Sequence, residues 1–299
     1  MLNSSLCSLF RAGCRSIAGA LMAAGLIAAT SSVAKADVRL GVISHLGDLM
    51  VIKQWTALAN YLSRELNEKV VLVPMNNKKT MAALKNKTVD FLLTQPLLAA
   101  IAEQTFDAKV VATRNKSHDG LFGGVVIANP GAGIARLRDI RGKTVIGMGR
   151  AGAGGYLFQA HHLLKNGIDV EGGDVTYRIA KSQKDIVLAV RAGIVDVGFV
   201  RSGLLEALHR KGVIAAGDVV VVERSRVEFP QVLTTRLYPD WFFLAMDGQP
   251  EDRIAKLRAA LMRIAPDSDV AKAAKIEGFV PPKPRDGLVT MLKEMGRLG

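Results

Sequence analysis

Cysteine is nearly absent from this chain: its 299 residues hold two, Cys7 and Cys14, and both fall within the first 36. If that segment is removed, no disulfide, thiolate nucleophile or Cys-ligated metal site is left. Aromatic residues make up only 5% of the chain. Acidic residues are missing altogether from residues 1–36, which carry Arg11 and Arg15, then an apolar run over 17–29, then Ala34-Lys35-Ala36 ahead of Asp37. Basic, apolar and small-x-small regions in that order read as a secretory signal peptide cleaved after Ala36. The apolar run of 13 residues falls short of the roughly 20 that a bilayer span needs. A lipoprotein anchor is not expected either, because Cys14 precedes the run.

What remains is ordinary globular material, 49% hydrophobic and 22% charged over the whole chain. That excludes a disordered chain, while Gly at 29 and Pro at 10 exclude a collagen-like one. The net charge of +13 comes from 40 Lys and Arg against 27 Asp and Glu. Three of the basic residues belong to the leader, so the 263-residue mature chain keeps a net +10, with no basic run or aromatic interleaving of the nucleic-acid-binding kind. An excess of this size, spread thinly, suits attraction of small anions.

From Asp37 onward, short runs rich in Val, Ile and Leu alternate with stretches of helical spacing. Strands are expected over 38–44, 70–75, 89–94 and 109–113, with helices over 49–66 and 80–86 between them. The second half repeats the pattern: strand 143–148, helix 156–165, strand 175–180, helix 185–192, strand 195–200. Alternation of this kind implies parallel βαβ units with right-handed crossovers, an α/β class. Setting Val89-Asp90 on Val195-Asp196 gives an offset of 106 residues, which also places Ala83 on Ala189, Leu98 on Leu204, Gly41 on Gly147 and the strand from Val70 on that from Thr176. Two lobes of like topology are therefore expected, each a mixed sheet flanked by helices.

The tail reads as strands over 218–222 and 241–246, an extended segment over 233–238, a helix over 251–263 and a last helix near 288–298. It is too short for a third domain and is expected to return to the first lobe. The division is then 37–124 plus 236–299 for lobe one and 125–235 for lobe two. The links over 122–129 and 227–235 would be the hinge.

Ligands of open α/β sheets bind beyond the carboxyl ends of the strands, so those ends nominate the pocket. In lobe one they are Ser44 and His45, Asn76 and Asn77, Thr94 and Gln95, and Arg114 and Asn115. In lobe two they are the loop 147–155, Lys181 and Ser182, and Arg201 and Ser202. The set is rich in donors and holds the cations Arg114, Lys181 and Arg201 with no carboxylate, which favours an anionic ligand. Arg201 follows a buried strand, and its guanidinium could fork onto an oxyanion, with Ser202 read as the N-cap of the next helix. Thr94 and Gln95, before Pro96 at a first helical position, form the lobe-one counterpart. Tyr156 and Trp241 are candidate walls, and Arg236 is expected at the hinge.

The residues also carry a family resemblance. Leu40-Gly41-Val42, Trp55 with 58–62, Val89 to Pro96, Gly154-Gly155-Tyr156, Val195 to Gly203 and Thr235 to Trp241 resemble the PhnD-like phosphate and phosphonate group of type 2 periplasmic binding proteins. Within it they are most similar to the branch shared with periplasmic sensor domains of histidine kinases of the tetrathionate type. The resemblance implies a two-lobed ligand trap in the periplasm that serves an ABC permease or, alternatively, reports an oxyanion to a membrane sensor kinase. Where phosphonate binders of this family present a Ser-Thr-Ser-Gly-Tyr type loop, this chain reads Gly152-Ala153-Gly154-Gly155-Tyr156, without the three hydroxyls. Backbone N–H groups are left to hold the anion there. A phosphorus oxyanion, another oxyanion and a small carboxylate all stay open as ligands. The expected molecule is a monomer without a cofactor.

Other chemistries find less support. Gly147-Met148-Gly149-Arg150-Ala151-Gly152 is a formal G-x-G-x-x-G, and Lys181 with Ser182 could suit a 2′-phosphate, so an exported NADP-dependent oxidoreductase stands as the remote alternative. The adjacent His161 and His162 point about 100° apart on a helix and are expected on the surface rather than on one ion. Asp90 and Asp196 are expected to cap or turn strands. No Ser-His-Asp order and no paired carboxylates lie at strand tips, so no enzyme activity is expected.

Overall fold

Short local signals set where each element begins and ends. The computed structural model describes residues 36–44 and 47–299. The expected leader, apart from Ala36, and His45 lie outside the described residues. Strand β1 (Val38–Ile43) is followed by helix α1 (Asp48–Leu66), β2 (Val70–Met75), α2 (Asn77–Asn86), β3 (Phe91–Thr94), α3 (Pro96–Phe106) and β4 (Lys109–Asn115). The cap of α2 is Asn76, whose side chain accepts from the N–H of Lys79 at 2.9 Å. Gln95 caps α3, accepting from the N–H of Leu97 at 3.0 Å, with Pro96 pre-set at the first helical position.

The chain then runs through β5 (Leu121–Phe122) into β6 (Gly124–Ala128), β7 (Thr144–Gly147), α4 (Leu157–Lys165), β8 (Thr176–Ile179), α5 (Gln183–Arg191), β9 (Val197–Arg201), α6 (Leu204–Arg210) and β10 (Val220–Val221). It returns by β11 (Tyr238–Pro239) to β12 (Phe242–Ala245), α7 (Glu251–Met262), α8 (Asp269–Ala274), β13 (Gly278–Val280) and α9 (Asp286–Glu294). The pair α8 and β13 has no counterpart in the sequence reading.

Two mixed sheets result, one per lobe. The first has the order β13-β4-β12-β3-β1-β2 and the second β10-β6-β9-β7-β8. In each, a parallel trio (β3-β1-β2, β9-β7-β8) is flanked by one antiparallel strand from the crossing chain, β12 against β3 and β6 against β9. The topologies match, as the repeat implies, but the offset is not uniform. Asp90 accepts from the N–H of Arg39 at 2.7 Å and Asp196 from that of Thr144 at 2.8 Å, so the first strands correspond with a shift one residue smaller than the third strands do. Gly41 therefore matches Ile146 rather than Gly147. Both aspartates hold strand starts, which is the structural role expected of them.

The expected hinge segments are too long. Residues 125–128 are fully buried and form the second sheet's antiparallel strand, because every N–H in the middle of a sheet must find a ladder partner. The crossing is confined to the short ladder of β5 and β11, where Tyr238 pairs with Phe122. Thr235 supports it, its hydroxyl accepting from the N–H of Gly124 at 2.8 Å. Phe158 of α4 stacks on Tyr238 with centroids 4.1 Å apart, which ties the crossing into the core. Among the described residues, no helix is long and apolar enough to cross a membrane.

Candidate functional site

The carboxyl ends of β1, β3, β4, β7 and β9 face one another across the hinge and enclose a cavity of about 480 Å³. Of the residues nominated from sequence, Ser44, Gln95, Arg114, Gly154, Gly155 and Arg201 line it, together with Asn77 and Trp241. The aromatic and apolar part of the wall comes from Trp55, Trp241, Phe122, Ile43, Met148 and Ile276.

Several nominated positions that the structure describes do not contribute to the wall. Asn76 is committed to capping α2. Thr94 is fully buried beside the cavity rather than on it. Tyr156 is buried in lobe two, its hydroxyl donating to Glu171 at 2.7 Å and its ring meeting Tyr177 edge-on; burial, then that bond, pushes the phenol well up. Ser202 does not cap α6, whose cap is Gly203 in the left-handed region at φ 75°. Its hydroxyl accepts from the N–H of Gly123 at 3.2 Å, and its own N–H donates to Gly123 O at 2.9 Å, so it braces the hinge. His45 lies outside the described residues. Lys181 is exposed and away from the cavity, while the neighbouring Ser182 caps α5.

The electrostatics differ from the sequence inventory in two respects. Asp240 brings a carboxylate to the wall, where it accepts from Arg114 Nη2 at 2.6 Å and from the N–H of Trp241 at 2.7 Å. The pair is largely buried, with side chains 12% and 6% exposed, and Arg114 also stacks 4.3 Å over Trp241. Lys116, Arg150 and Lys275 join Arg114 and Arg201 as lining cations, so five positive groups face one carboxylate. Arg150 spends its charge on Glu171 at 3.0 Å. Arg201 is held by short-range contacts, its N–H donating to Gln183 Oε1 at 2.8 Å and Nη1 to Ser202 O at 2.9 Å. Burial pulls its guanidinium below the usual range, with Asp240 working the other way. Donors are left over at the wall, since Gln95 Nε2 and Arg114 Nε are buried without a partner.

Sequence reasoning missed Lys116 because β4 was expected to stop at Thr113. The strand runs on to Asn115 and carries Lys116 into the cavity. Lys275 was missed with the whole of α8, of which it is the left-handed C-cap.

The glycine loop also departs from a dinucleotide fingerprint. Gly149 to Gly155 form the lobe-two wall, but Ala153–Gly155 make a 3-10 turn and Tyr156 is non-helical, so α4 begins at Leu157, five residues past the last motif glycine. A Rossmann fingerprint needs its last glycine packed against the helix that receives the pyrophosphate. Among the described residues, no group of three or more His, Cys, Asp or Glu could hold a metal ion.

Comparison with known proteins agrees with this geometry. The profile of a family described as "ABC transporter, phosphonate, periplasmic substrate-binding protein" matches residues 40–286. The chain is 28% identical over 227 residues to the tetrathionate sensor histidine kinase TtrS of Salmonella typhimurium, which covers 73% of this chain but only 38% of that relative's length. Two solved structures share the fold. PhnD1 from Prochlorococcus marinus in complex with methylphosphonate has a TM-score of 0.68 at 14% identity, over 88% of this chain and 99% of that one. A Xanthomonas citri protein bound to ATP has a TM-score of 0.71 at 20% identity, over 87% and 97% respectively.

Proposed function

The chain belongs to the family of phosphonate-type periplasmic substrate-binding proteins of ABC transporters, and from that premise we propose that it captures a small anion between its two lobes and presents it to an ABC permease. The observation that carries this reading is the imbalance of the wall, five cations against one carboxylate. A buried guanidinium such as that of Arg201 is costly unless an anion completes its donors. Gln95, Arg114, Arg201, Ser44 and the amides of Gly154 and Gly155 are the proposed contacts, with Asn76, Thr94, Tyr156 and Ser202 supporting the shape of the site. The loop 152–156 has no hydroxyls, so a phosphonate is one candidate beside sulfur oxyanions and small carboxylates. The lobe limits 37–124 plus 236–299 and 125–235, and export through residues 1–36, belong to the same proposal.

A second reading keeps the trap and changes its listener. The match to the sensor kinase supports a chain that reports anion occupancy to a membrane partner. Both readings are tested first by a thermal-shift screen against phosphate, methylphosphonate, sulfate, thiosulfate, tetrathionate and small carboxylates. At least one anion is expected to raise the melting temperature of the wild type, and Arg201→Ala is expected to abolish that rise. An unchanged response in Arg201→Ala, or no response to any anion, removes the proposal.

A further inference from the structure

Lys116 is a cavity cation that no described residue answers with a hydrogen bond or an ion pair. It sits one position past β4. The charged groups around it come from four elements. Arg201 faces it from the end of β9, Arg114 from its own strand, Asp240 from the turn before β12 and Lys275 from the C-cap of α8. Behind Arg201, the charge of Glu206 of α6 acts on the guanidinium through space, and its Oε1 accepts from the N–H of Val232 at 2.8 Å. The titratable neighbours in sequence face elsewhere: the ring of His118 meets Phe229 edge-on with centroids 5.1 Å apart, and Asp119 pairs with Lys283. Arg114 and Asp240 cancel as a close pair. That leaves Arg201 and Lys275 as the other cations facing the cavity, with Lys116 as the group that can adjust.

We propose that Lys116 sets the charge selectivity of the cleft, its ammonium being completed by the ligand, so that a divalent oxyanion enters together with one proton from solution and a monovalent one does not. The inference rests on the anion-binding reading of this cavity. Burial, then repulsion from Arg201 and Arg114, brings Lys116 down to about 7, with Asp240 opposing. Near neutral pH the amine is therefore poised between its two forms. One negative charge offsets only part of the positive charge of Arg201 and Lys275, and the repulsion on Lys116 persists. A second negative charge in the same cavity reverses the repulsion on Lys116 and draws a proton from water onto Nζ. No bond of the ligand forms or breaks.

The sign follows directly. The tight-binding form carries the protonated lysine, which is already present below about 7. The affinity for a divalent anion is then flat at lower pH and falls by about tenfold per pH unit above 7, until the raised value of the complex is reached.

Sulfate and methanesulfonate separate the cases, because both are tetrahedral sulfur oxyanions that differ by one charge and neither titrates near neutrality. Calorimetry of the full chain between pH 6 and 9, in buffers of different ionisation enthalpy, reads affinity and proton uptake together. For the wild type, sulfate uptake of protons is expected to be near zero at pH 6 and close to one at pH 8, with methanesulfonate well under half of that. Lys116→Arg should bind sulfate with pH-independent affinity and no proton uptake, and Lys116→Met should bind the two anions alike. A flat sulfate profile in the wild type, or the same slope in Lys116→Arg, overturns the inference and leaves the anion trap standing. If neither anion binds at any pH while another anion of the thermal-shift screen does, this inference falls and the anion trap stands; if no anion of that screen binds, both fall.

Discussion

Asp240 shows why the site's chemistry was only partly visible along the chain. The strand-tip inventory found donors because Ser, Asn, Gln and Arg stand out at the ends of apolar runs. A carboxylate that arrives from a return strand more than a hundred residues later leaves no such mark. Its function is to compensate Arg114, at 2.6 Å and almost out of water. Removing one member of a buried pair leaves the other as an uncompensated charge. Asp240→Asn keeps an acceptor for the N–H of Trp241 but abandons the guanidinium. It is expected to destabilise the protein by about 3 kcal/mol in low salt, and added sulfate should recover more of the melting temperature than it adds to the wild type. Equal sulfate effects in the two proteins would show that Arg114 does not face the ligand. Tyr156 is the converse error. An aromatic after a glycine loop looks like a wall from sequence, yet its ring is in the core and its hydroxyl is spent on Glu171.

At the scale of elements, hydrophobic periodicity was a sound guide wherever a strand or helix is buried on a regular face. The parallel trios of both sheets and the alternation around them were legible for that reason. The 106-residue offset came from motifs at the third strands and carried through to the first strands with one residue of slip, because loop lengths differ while strand pairing does not. The elements that escaped are short, namely α8, β13 and the hinge ladder, where tertiary contacts decide what local pattern cannot. The glycine loop makes a sharper demand. A methyl on Gly154 would come 2.5 Å from Phe122 Cε2 and 3.1 Å from Arg201 Cβ, whereas one on Gly149 would meet nothing within 4 Å. Gly154→Ala is expected to cost about 1–3 kcal/mol through overpacking against the hinge and to weaken anion binding, and Gly149→Ala to stay within about 0.5 kcal/mol of wild type. Matching denaturation midpoints for the two variants would mean that the loop packs less tightly on the hinge than the structure has it.

On the scale of the whole molecule, the two lobes are held by more than the β5–β11 ladder. Helix α9 packs beside α3 of lobe one, yet Glu294 at its end accepts from His161 at 2.5 Å and Lys165 at 3.3 Å on α4 of lobe two, and Arg297 pairs with Glu171. His161 is thus a cross-lobe contact rather than a plain surface residue. The chain's route has a further consequence for how the molecule comes into being. Lobe two is one uninterrupted stretch from β6 to β10, so its sheet can assemble from contacts that are comparatively near in sequence. Lobe one cannot close its sheet until β12 inserts between β3 and β4, roughly 130–150 residues after they are made. Contacts of that separation form slowly, since loop closure must precede them. Pulse-labelled hydrogen exchange during refolding is expected to protect the amides of β6, β7 and β9 before those of β3 and β12. Simultaneous protection of both sheets would mean that the molecule folds as one unit. Until β12 arrives, the flanks of β3 and β4 that it will cover are unpaired edges, which are the features that aggregate or that chaperones hold. A chain bound for another compartment benefits from that delay, because its N-terminal lobe stays unfinished, and so threadable, until almost the last strand has been made.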